Sequence, residues 1–129
     1  MNIVIFNYLI GNADAHGKNF SLLYDEGKPR LAPAYDLLST AVYPELAPKM
    51  AMKIGGKYDP DDIYLRHWHR LVPDTAGTRN ALEKNLTEMA ATTLDQATKL
   101  HDELKKENIT SPILDSIVAL IKKRSARLK

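Results

Sequence analysis

Residues 11–36 read GNADAHGKNFSLLYDEGKPRLAPAYD, and this stretch decides the fold. It opens with a dense run of polar side chains and continues with two short strand-like pieces, Phe20–Tyr24 and Arg30–Ala32. The connection between these pieces contains Gly27, which suits the left-handed backbone of a tight turn, and Pro33 ends the second piece. The sequence therefore predicts a polar loop followed by a small β-hairpin.

The chain on either side of this stretch is mainly helical. Upstream, residues 2–10 carry apolar side chains at helical spacing, although the β-branched Ile-Val-Ile leaves a strand open. Downstream, apolar residues recur along one face over 78–107, which predicts a long amphipathic helix. A last helix follows, capped by Thr110 or Ser111, with Pro112 in its first turn.

The segment between the hairpin and the long helix is harder to assign. Prolines and glycines interrupt residues 39–60, so we expect irregular chain there, with a short strand at Met50–Ile54. Asp59 or Asp61 can cap a helix over 61–71. The predicted fold class is therefore mostly α within an α+β architecture, with a small β-hairpin beside the polar loop.

Composition and charge exclude several classes of protein. The chain of 129 residues has no cysteine, which excludes disulfides, thiolate nucleophiles and cysteine-ligated zinc. A formal net charge of +2 is too small to predict nucleic-acid binding from charge alone. No apolar run approaches the roughly 20 residues of a membrane helix, and the N-terminus lacks the basic region of a signal peptide. We therefore expect a soluble, cytoplasmic protein with no membrane partner.

The chemically useful side chains are concentrated in the first forty residues. Asp14 and Asn19 stand five positions apart, and Asp36 follows a hairpin that can fold it back beside them. This set suits phosphoryl transfer, in which one carboxylate accepts the proton of an attacking hydroxyl while an amide oxygen and a second carboxylate hold Mg²⁺. A zinc site formed by Asp14, His16 and Asp36 stays open as an alternative.

Two motifs in this region carry a resemblance to a known family. They are NADAHGKNFS at residues 12–21 and APAYDL at residues 32–37. Protein kinases place a metal-binding aspartate after an Asp-x-x-x-x-Asn catalytic loop and a short hairpin. The version in this sequence closely resembles the HipA family of serine/threonine kinase toxins. The resemblance implies that residues 1–129 form a HipA-like, helical C-terminal kinase lobe, without the N-terminal lobe of the enzyme.

The resemblance implies a role for each matching residue. Asp14 matches the catalytic base, while Asn19 and Asp36 match the ligands of Mg²⁺. The implied cofactors are ATP and Mg²⁺, and the nucleotide contacts are expected from His16, Gly17, Lys18, Asn19, Tyr35 and Asp36. Because phosphoryl transfer depends on a complete nucleotide cleft, we expect the isolated chain to be inactive and to bind Mg-ATP weakly.

The resemblance also implies partners. HipA-like toxins pair with a DNA-binding antitoxin of the HipB type, so that DNA is reached only indirectly. The implied protein substrate is a translation component such as an aminoacyl-tRNA synthetase, and the missing N-terminal lobe is a further partner. One alternative is a non-catalytic remnant that serves as a binding module for an antitoxin or for a separate N-terminal lobe. Another is a metal-dependent hydrolase that uses Asp14, His16 and Asp36.

The candidate residues also have plainer structural interpretations. Asp14 can be a turn residue, and Asp36 can be the N-cap of a helix that starts at the next residue. His16 can pack under the loop, Lys18 can be solvated, and Tyr35 can belong to the core.

Two further clusters need an interpretation. In the run 67–69, His-Trp-His, neighbours two apart on a helix face different ways, so one histidine is expected to pack and the other to be exposed, with Trp68 in the core. The basic residues of the last helix are favoured by the helix dipole, which we prefer to nucleic-acid binding as their explanation. These residues are Lys122, Lys123, Arg124, Arg127 and Lys129.

Overall fold

The computed structural model describes residues 1–128, apart from the side chain of Asp25. The helices and strands in chain order are α1 (Asn2–Ile10), β1 (Leu22–Asp25), β2 (Lys28–Leu31), α2 (Leu65–His69), α3 (Ala76–Lys106) and α4 (Pro112–Ala126). Short 3-10 turns lie at Gly17–Asn19, Thr40–Val42 and Pro60–Asp62. This helix-rich chain with a two-stranded antiparallel sheet confirms the predicted fold class.

The first segment is a helix, α1, and it ends at a glycine that is needed for two reasons. Gly11 has a φ of 78°, in the left-handed region, and the N–H of Asn12 donates to the carbonyl of Asn7 at 2.9 Å. A side chain at residue 11 would also collide with Leu120 of α4. Backbone and packing together therefore set the direction in which the polar loop leaves α1.

The core lies where α1 meets α3, α4 and the tryptophan of α2. The rings of Tyr8 and Trp68 meet edge to face, with centroids 5.4 Å apart. The apolar stripe of α3 supplies the buried side chains Leu82, Leu86 and Ala90. Trp68 is fully buried, which confirms its predicted core position.

The two long helices follow the predicted pattern with small shifts. α3 begins two residues earlier than predicted, because the Thr75 side chain caps it and accepts a hydrogen bond from the N–H of Thr78 at 3.2 Å. Asn108, with a φ of 59°, turns the chain after α3. α4 begins at Pro112 with Ser111 at its N-cap, as predicted.

The β-hairpin is confirmed, but its strands lie closer to the turn than predicted. Glu26 and Gly27 both have positive φ, 48° and 77°, so two residues are enough to reverse the chain. The strands therefore extend to Asp25 and Lys28, which are paired, and the first strand begins at Leu22 rather than at Phe20. The predicted turn is too long because glutamate rarely adopts positive φ.

The strand predicted over residues 50–54 is wrong. The N–H of Met50 donates to the carbonyl of Tyr58 at 2.9 Å, and residue 54 forms only an isolated bridge. Gly55 and Gly56 follow at once with φ values of 55° and 91°. They reverse the chain too soon for a ladder of paired residues to form.

The single helix predicted over 61–71 is also wrong. A 3-10 turn begins at Pro60, capped by the Asp59 side chain, which accepts from the N–H of Asp61 at 2.9 Å. The chain is then extended at Tyr64, with φ −122° and ψ 168°, before the short α2 starts. The extended residue divides the predicted helix into two pieces.

Most of the basic cluster predicted at the end of the chain has a structural use. Arg124 is 5% exposed, and its guanidinium stacks on a ring of α1. Lys123 pairs with a carboxylate oxygen of Asp61 at 3.1 Å, and Arg127 donates to the carbonyl of the same residue. Lys129 lies outside the described residues. The cluster therefore fastens α4 to the rest of the fold. Within residues 1–128, no helix is long and apolar enough to cross a membrane.

Candidate functional site

The polar loop is anchored at its start by Asn12, whose side chain is buried. Its Nδ2 donates to Oδ1 of Asn7 at 3.0 Å and to the carbonyl of Asp36 at 2.9 Å. Both hydrogens of this amide are thus used. Because Asp36 lies 24 residues further along the chain, Asn12 ties the end of the hairpin segment to the start of the loop.

Asn19 and Asp36 form the centre of the candidate site. The Nδ2 of Asn19 donates to Oδ2 of Asp36 at 2.6 Å. The 3-10 turn Gly17–Asn19 folds back over the loop, so that Oδ1 of Asn19 accepts from the N–H of His16 at 3.0 Å. The structure therefore brings together the two side chains that the sequence predicts as metal ligands.

Asp36 has a strained backbone. Its φ is 56°, in the left-handed region, which most residues with a Cβ avoid. Residues 37–39 form no helix, so the interpretation of Asp36 as an N-cap is wrong. The hydrogen bond from Asn12 to its carbonyl holds this conformation, which aims the carboxylate at Asn19. Backbone strain of this kind is concentrated at functional sites.

Tyr35 lies at the surface and fastens the hairpin segment to the loop. Its hydroxyl donates to the carbonyl of Lys18 at 2.7 Å and lies 3.0 Å from Oγ of Ser21. The side chain is 45% exposed, so the interpretation of Tyr35 as a core residue is wrong. The phenol instead fixes the position of the loop next to Asn19.

Among the described residues, Asp14 forms no hydrogen bond with either member of the Asn19–Asp36 pair. Its carboxylate is exposed and, within residues 1–128, makes no hydrogen bond or ion pair. It lines a separate open cavity of about 400 Å³, together with Thr40 and Lys49. An unpaired carboxylate beside a cavity can accept a proton from a group bound there.

The other predicted contacts border the central pair. Gly17 and Lys18 are exposed, and His16 is half-buried. The Nδ1 of His16 is shielded from solvent and has no hydrogen-bond partner among the described residues. Gly17 and Lys18 are therefore accessible to a ligand that approaches the loop from outside, whereas Nδ1 of His16 is not.

The oxygen atoms of Asn19 and Asp36 are the donors best suited to a metal. Amide and carboxylate oxygens are what Mg²⁺ prefers in proteins. In the described part of the chain, no three histidine, aspartate or glutamate side chains lie close enough to share a metal. The alternative zinc site of Asp14 and His16 with Asp36 is therefore not formed.

Sequence reasoning gives no role to two residues that shape the loop, Asn12 and Thr40. The Oγ1 of Thr40 accepts from the N–H of Ala13 at 2.8 Å and donates to the carbonyl of Gly11 at 3.3 Å. The position of Asn12 at the start of the loop motif is a signal that could have found it. No signal marks Thr40, because its contact with the loop spans 27 residues.

The histidines of the run 67–69 have structural partners. His67 is buried, and its Nδ1 accepts from the N–H of Tyr64 at 3.0 Å. Burial, with neighbouring cations as a smaller cause, lowers the pKa of His67. His69 is partly exposed and pairs with Glu83 at 2.8 Å. One histidine packs and the other reaches the surface, as predicted.

The fold and this loop define a class of protein, the HipA-like C-terminal domains. The sequence profile of that family, described as the HipA-like C-terminal domain, matches residues 1–99. The chain therefore belongs to the HipA-like C-terminal domain family.

Individual relatives agree with this assignment. The serine/threonine-protein kinase toxin HipA of Shewanella oneidensis is 38% identical over 86 residues, which are 67% of this chain and 20% of that protein. The protein Y4mE of Sinorhizobium fredii is 38% identical over 103 residues, 80% of this chain and 24% of that protein. The solved Shewanella oneidensis complex of HipA, HipB and operator DNA matches with a TM-score of 0.66 and 29% identity, covering 98% of this chain and 29% of that chain. The chain thus spans about a quarter of the length of these relatives.

Proposed function

We propose that this chain is the catalytic-loop portion of a serine/threonine-protein kinase toxin that uses ATP and Mg²⁺. The observation that carries the proposal is the contact of 2.6 Å between Asn19 and Asp36. These are the two residues that match the metal ligands of the kinase motif, and the buried amide of Asn12 holds Asp36 in its left-handed conformation. The identity to the kinase toxin HipA supports the same reaction class.

In this proposal Asn19 and Asp36 hold the Mg²⁺ that accompanies the nucleotide. When bound, the metal neutralises charge on the phosphates. The amide of Asn19 is already oriented, because Oδ1 accepts from the N–H of His16 and Nδ2 donates to Asp36. The nucleotide contacts are assigned to the same loop and to Tyr35, whose hydroxyl fixes the carbonyl of Lys18.

Asp14 acts as the base in this proposal. Its carboxylate has no partner that would compete for a proton among the described residues, and it borders the open cavity shared with Thr40 and Lys49. A serine or threonine side chain that enters the cavity would bring its hydroxyl to the carboxylate, which then removes the proton. Most of the rate enhancement in phosphoryl transfer comes from such positioning.

The proposed partners extend the resemblance to HipA. A HipB-type antitoxin is supported by the solved neighbour, which is a complex of HipA, HipB and operator DNA. DNA is then reached through the antitoxin. The proposed substrate, a translation component such as an aminoacyl-tRNA synthetase, rests on the family resemblance alone. Because the chain spans about a quarter of its relatives, we assign the activity to the full-length context and expect the isolated chain to be inactive.

The hairpin favours one other candidate function, that of a binding module. Three large apolar side chains on one face of the hairpin are exposed, namely Leu22, Tyr24 and Leu31, and Leu23 is exposed on the opposite face. Exposed apolar patches of this kind mark interaction surfaces. In this alternative the chain docks to an antitoxin or to a separate N-terminal lobe without any catalysis.

A graft into the relative tests the kinase proposal. Residues 1–129 would replace the matching segment of Shewanella oneidensis HipA, and transfer of radioactive phosphate from ATP to protein would be measured. We expect a labelled product, and we expect Asp14→Asn to slow labelling by about 10²–10⁴-fold. Asp36→Asn should abolish labelling at every Mg²⁺ concentration, because it changes one of the two proposed Mg²⁺ ligands.

Asp95→Asn is the matched control, because Asp95 is an exposed carboxylate on α3 that pairs only with nearby side chains. Full labelling by the Asp14 and Asp36 variants would contradict the kinase proposal. A folded graft that never labels protein but binds antitoxin with unchanged affinity in both variants would favour the binding module.

A further inference from the structure

A second cavity lies between α2 and the start of α3, away from the candidate site. It has a volume of about 600 Å³ and is lined by Arg66, His69, Arg70, Val72, Asp74 and Arg79. We call it the arginine pocket. No residue of the loop or the hairpin lines it, so its chemistry does not depend on the proposed kinase function.

Two of the three arginines in the pocket have no acidic partner among the described side chains. Asp74 is occupied by an ion pair with Arg79. The guanidinium of Arg66 lies 4.7 Å from the ring centroid of Tyr64, a contact that leaves its N–H groups free. Among the side chains that the structure describes, no carboxylate forms an ion pair with Arg66 or Arg70. Counted over the lining side chains alone, three arginines and one aspartate leave a surplus of two positive charges, while Glu83, which does not line the pocket, contacts His69 at 2.8 Å.

The pocket is held in shape by contacts to its neighbours. The Nη1 of Arg70 donates to the carbonyl of Gly55 at 3.0 Å. Gly55 has a φ of 55°, and a side chain there would collide with the backbone of His67 in α2. The carbonyl that orients Arg70 is therefore locked against the helix. Burial lowers the pKa of His67, with the nearby charges of Arg66 and Arg70 as a smaller cause.

We propose that the arginine pocket binds a phosphate monoester dianion. Guanidinium groups present N–H donors in a planar fork that matches phosphate oxygens. Arg66 lies in α2, and Arg70, which caps the C-terminus of α2 with a helical backbone, follows four residues later, so both line the same pocket. A phosphate monoester carries a charge of about −1.5 to −2, which matches the surplus in the pocket. A single carboxylate would leave part of that surplus unbalanced.

An NMR titration of the 129-residue chain tests the proposal. The arginine side-chain N–H signals would be followed during addition of inorganic phosphate, O-phosphoserine or acetate at constant ionic strength. We expect saturable shifts for Arg66 and Arg70 with the two phosphates and no saturable shifts with acetate. Tighter binding of O-phosphoserine would identify a phosphorylated side chain as the source of the ligand, and equal binding would identify free phosphate.

Three variants make the test decisive. Arg66→Gln should weaken phosphate binding by at least about tenfold, because a charged pair of donors is lost. Arg70→Lys keeps the charge and loses the fork, so it should also weaken binding. Lys84→Gln removes the same charge from an exposed position on α3 and should change nothing. Arg66 makes no hydrogen bond within the described fold, so its variant stays testable if Arg70→Lys unfolds. The proposal would be overturned by shifts that never saturate, or by a loss of phosphate affinity in Lys84→Gln equal to that in Arg66→Gln.

Discussion

The left-handed backbone of Asp36 is held by a side chain that never touches its carboxylate. Asn12 uses one amide hydrogen on Asn7 and the other on the Asp36 carbonyl. A buried polar group that loses its partner costs more than the bond itself contributes. The position of the carboxylate beside Asn19 therefore depends on a residue outside the pair.

Replacing Asn12 with alanine should lower the free energy of unfolding by about 1–3 kcal/mol, because Asn7 loses its buried donor. The same change should weaken binding of Mn²⁺, a paramagnetic substitute for Mg²⁺, because Asp36 can then leave its left-handed conformation. Urea denaturation and Mn²⁺ broadening of amide signals measure the two effects. Asn85→Ala is the control, since its amide bonds to Asn2 at the surface. Lower stability with unchanged Mn²⁺ broadening would contradict the positioning role.

His67 should make the stability of the chain depend on pH. In the unfolded chain this residue takes up a proton near pH 6.5, the ordinary pKa of a histidine, whereas in the folded chain burial and nearby cations lower the pKa. Its contribution is therefore complete above about pH 6.5 and is lost as the pH falls below that value. Urea midpoints at about pH 7.5 and about pH 5.5 measure the effect. His67→Asn keeps an acceptor near the Nδ1 position, and its urea midpoint should fall less between the two pH values than that of the wild type. An equal fall in the wild type and the variant would refute the assignment to His67.

Chain reversals decide the structure at the scale of the element. The periodicity of apolar residues locates α3 to within two residues, because a buried stripe repeats along the whole helix, and the capping residue with Pro112 locates the start of α4. The strand over 50–54 fails because two glycines reverse the chain, and the helix over 61–71 fails because Tyr64 is extended. Contacts between segments that are distant in sequence stabilise these reversals. A local pattern of residues does not reveal such contacts, so the two elements could not be predicted.

Two glycine-to-alanine changes should have opposite effects on stability. Gly11→Ala should lower the free energy of unfolding by roughly 1–3 kcal/mol, because residue 11 needs positive φ and lies against Leu120. Gly77→Ala should raise it by about 0.4–1 kcal/mol, because Gly77 lies in the first turn of α3 with open space around it. Thermal unfolding of both variants measures the pair. A destabilised Gly77→Ala would show that the space near α3 is needed.

At the scale of the whole molecule, α4 closes over α1 through a buried cation. The Arg124 guanidinium lies 5.1 Å from the ring centroid of Tyr8 and donates to the Tyr8 carbonyl. The sequence predicts a basic helix end but not this burial, because an arginine in the core is rare unless it has a partner.

The contact of Asn19 with Asp36 could be expected, since a hairpin returns the chain to its start. The cavity that Asp14 lines could not, because Thr40 and Lys49, from beyond the hairpin, also line it.

Arg124→Met should lower the free energy of unfolding by about 1–3 kcal/mol, because methionine fills much of the volume but leaves the Tyr8 carbonyl without its donor. Lys122→Met is the matched control, since Lys122 is an exposed neighbour on the same helix. Urea midpoints of the two variants give the comparison. If both variants unfold at the wild-type midpoint, the buried cation does not hold α4 in place.

The contact between Arg124 and Tyr8 spans 116 residues, and this distance governs when the structure can form. During synthesis α1 leaves the ribosome well before α4 exists, so its apolar side chains stay uncovered in the growing chain. Contacts between residues far apart in sequence form slowly, because the intervening loop must first be closed. Until α3 and α4 dock, the nascent chain therefore presents an apolar helix on which chaperones can act.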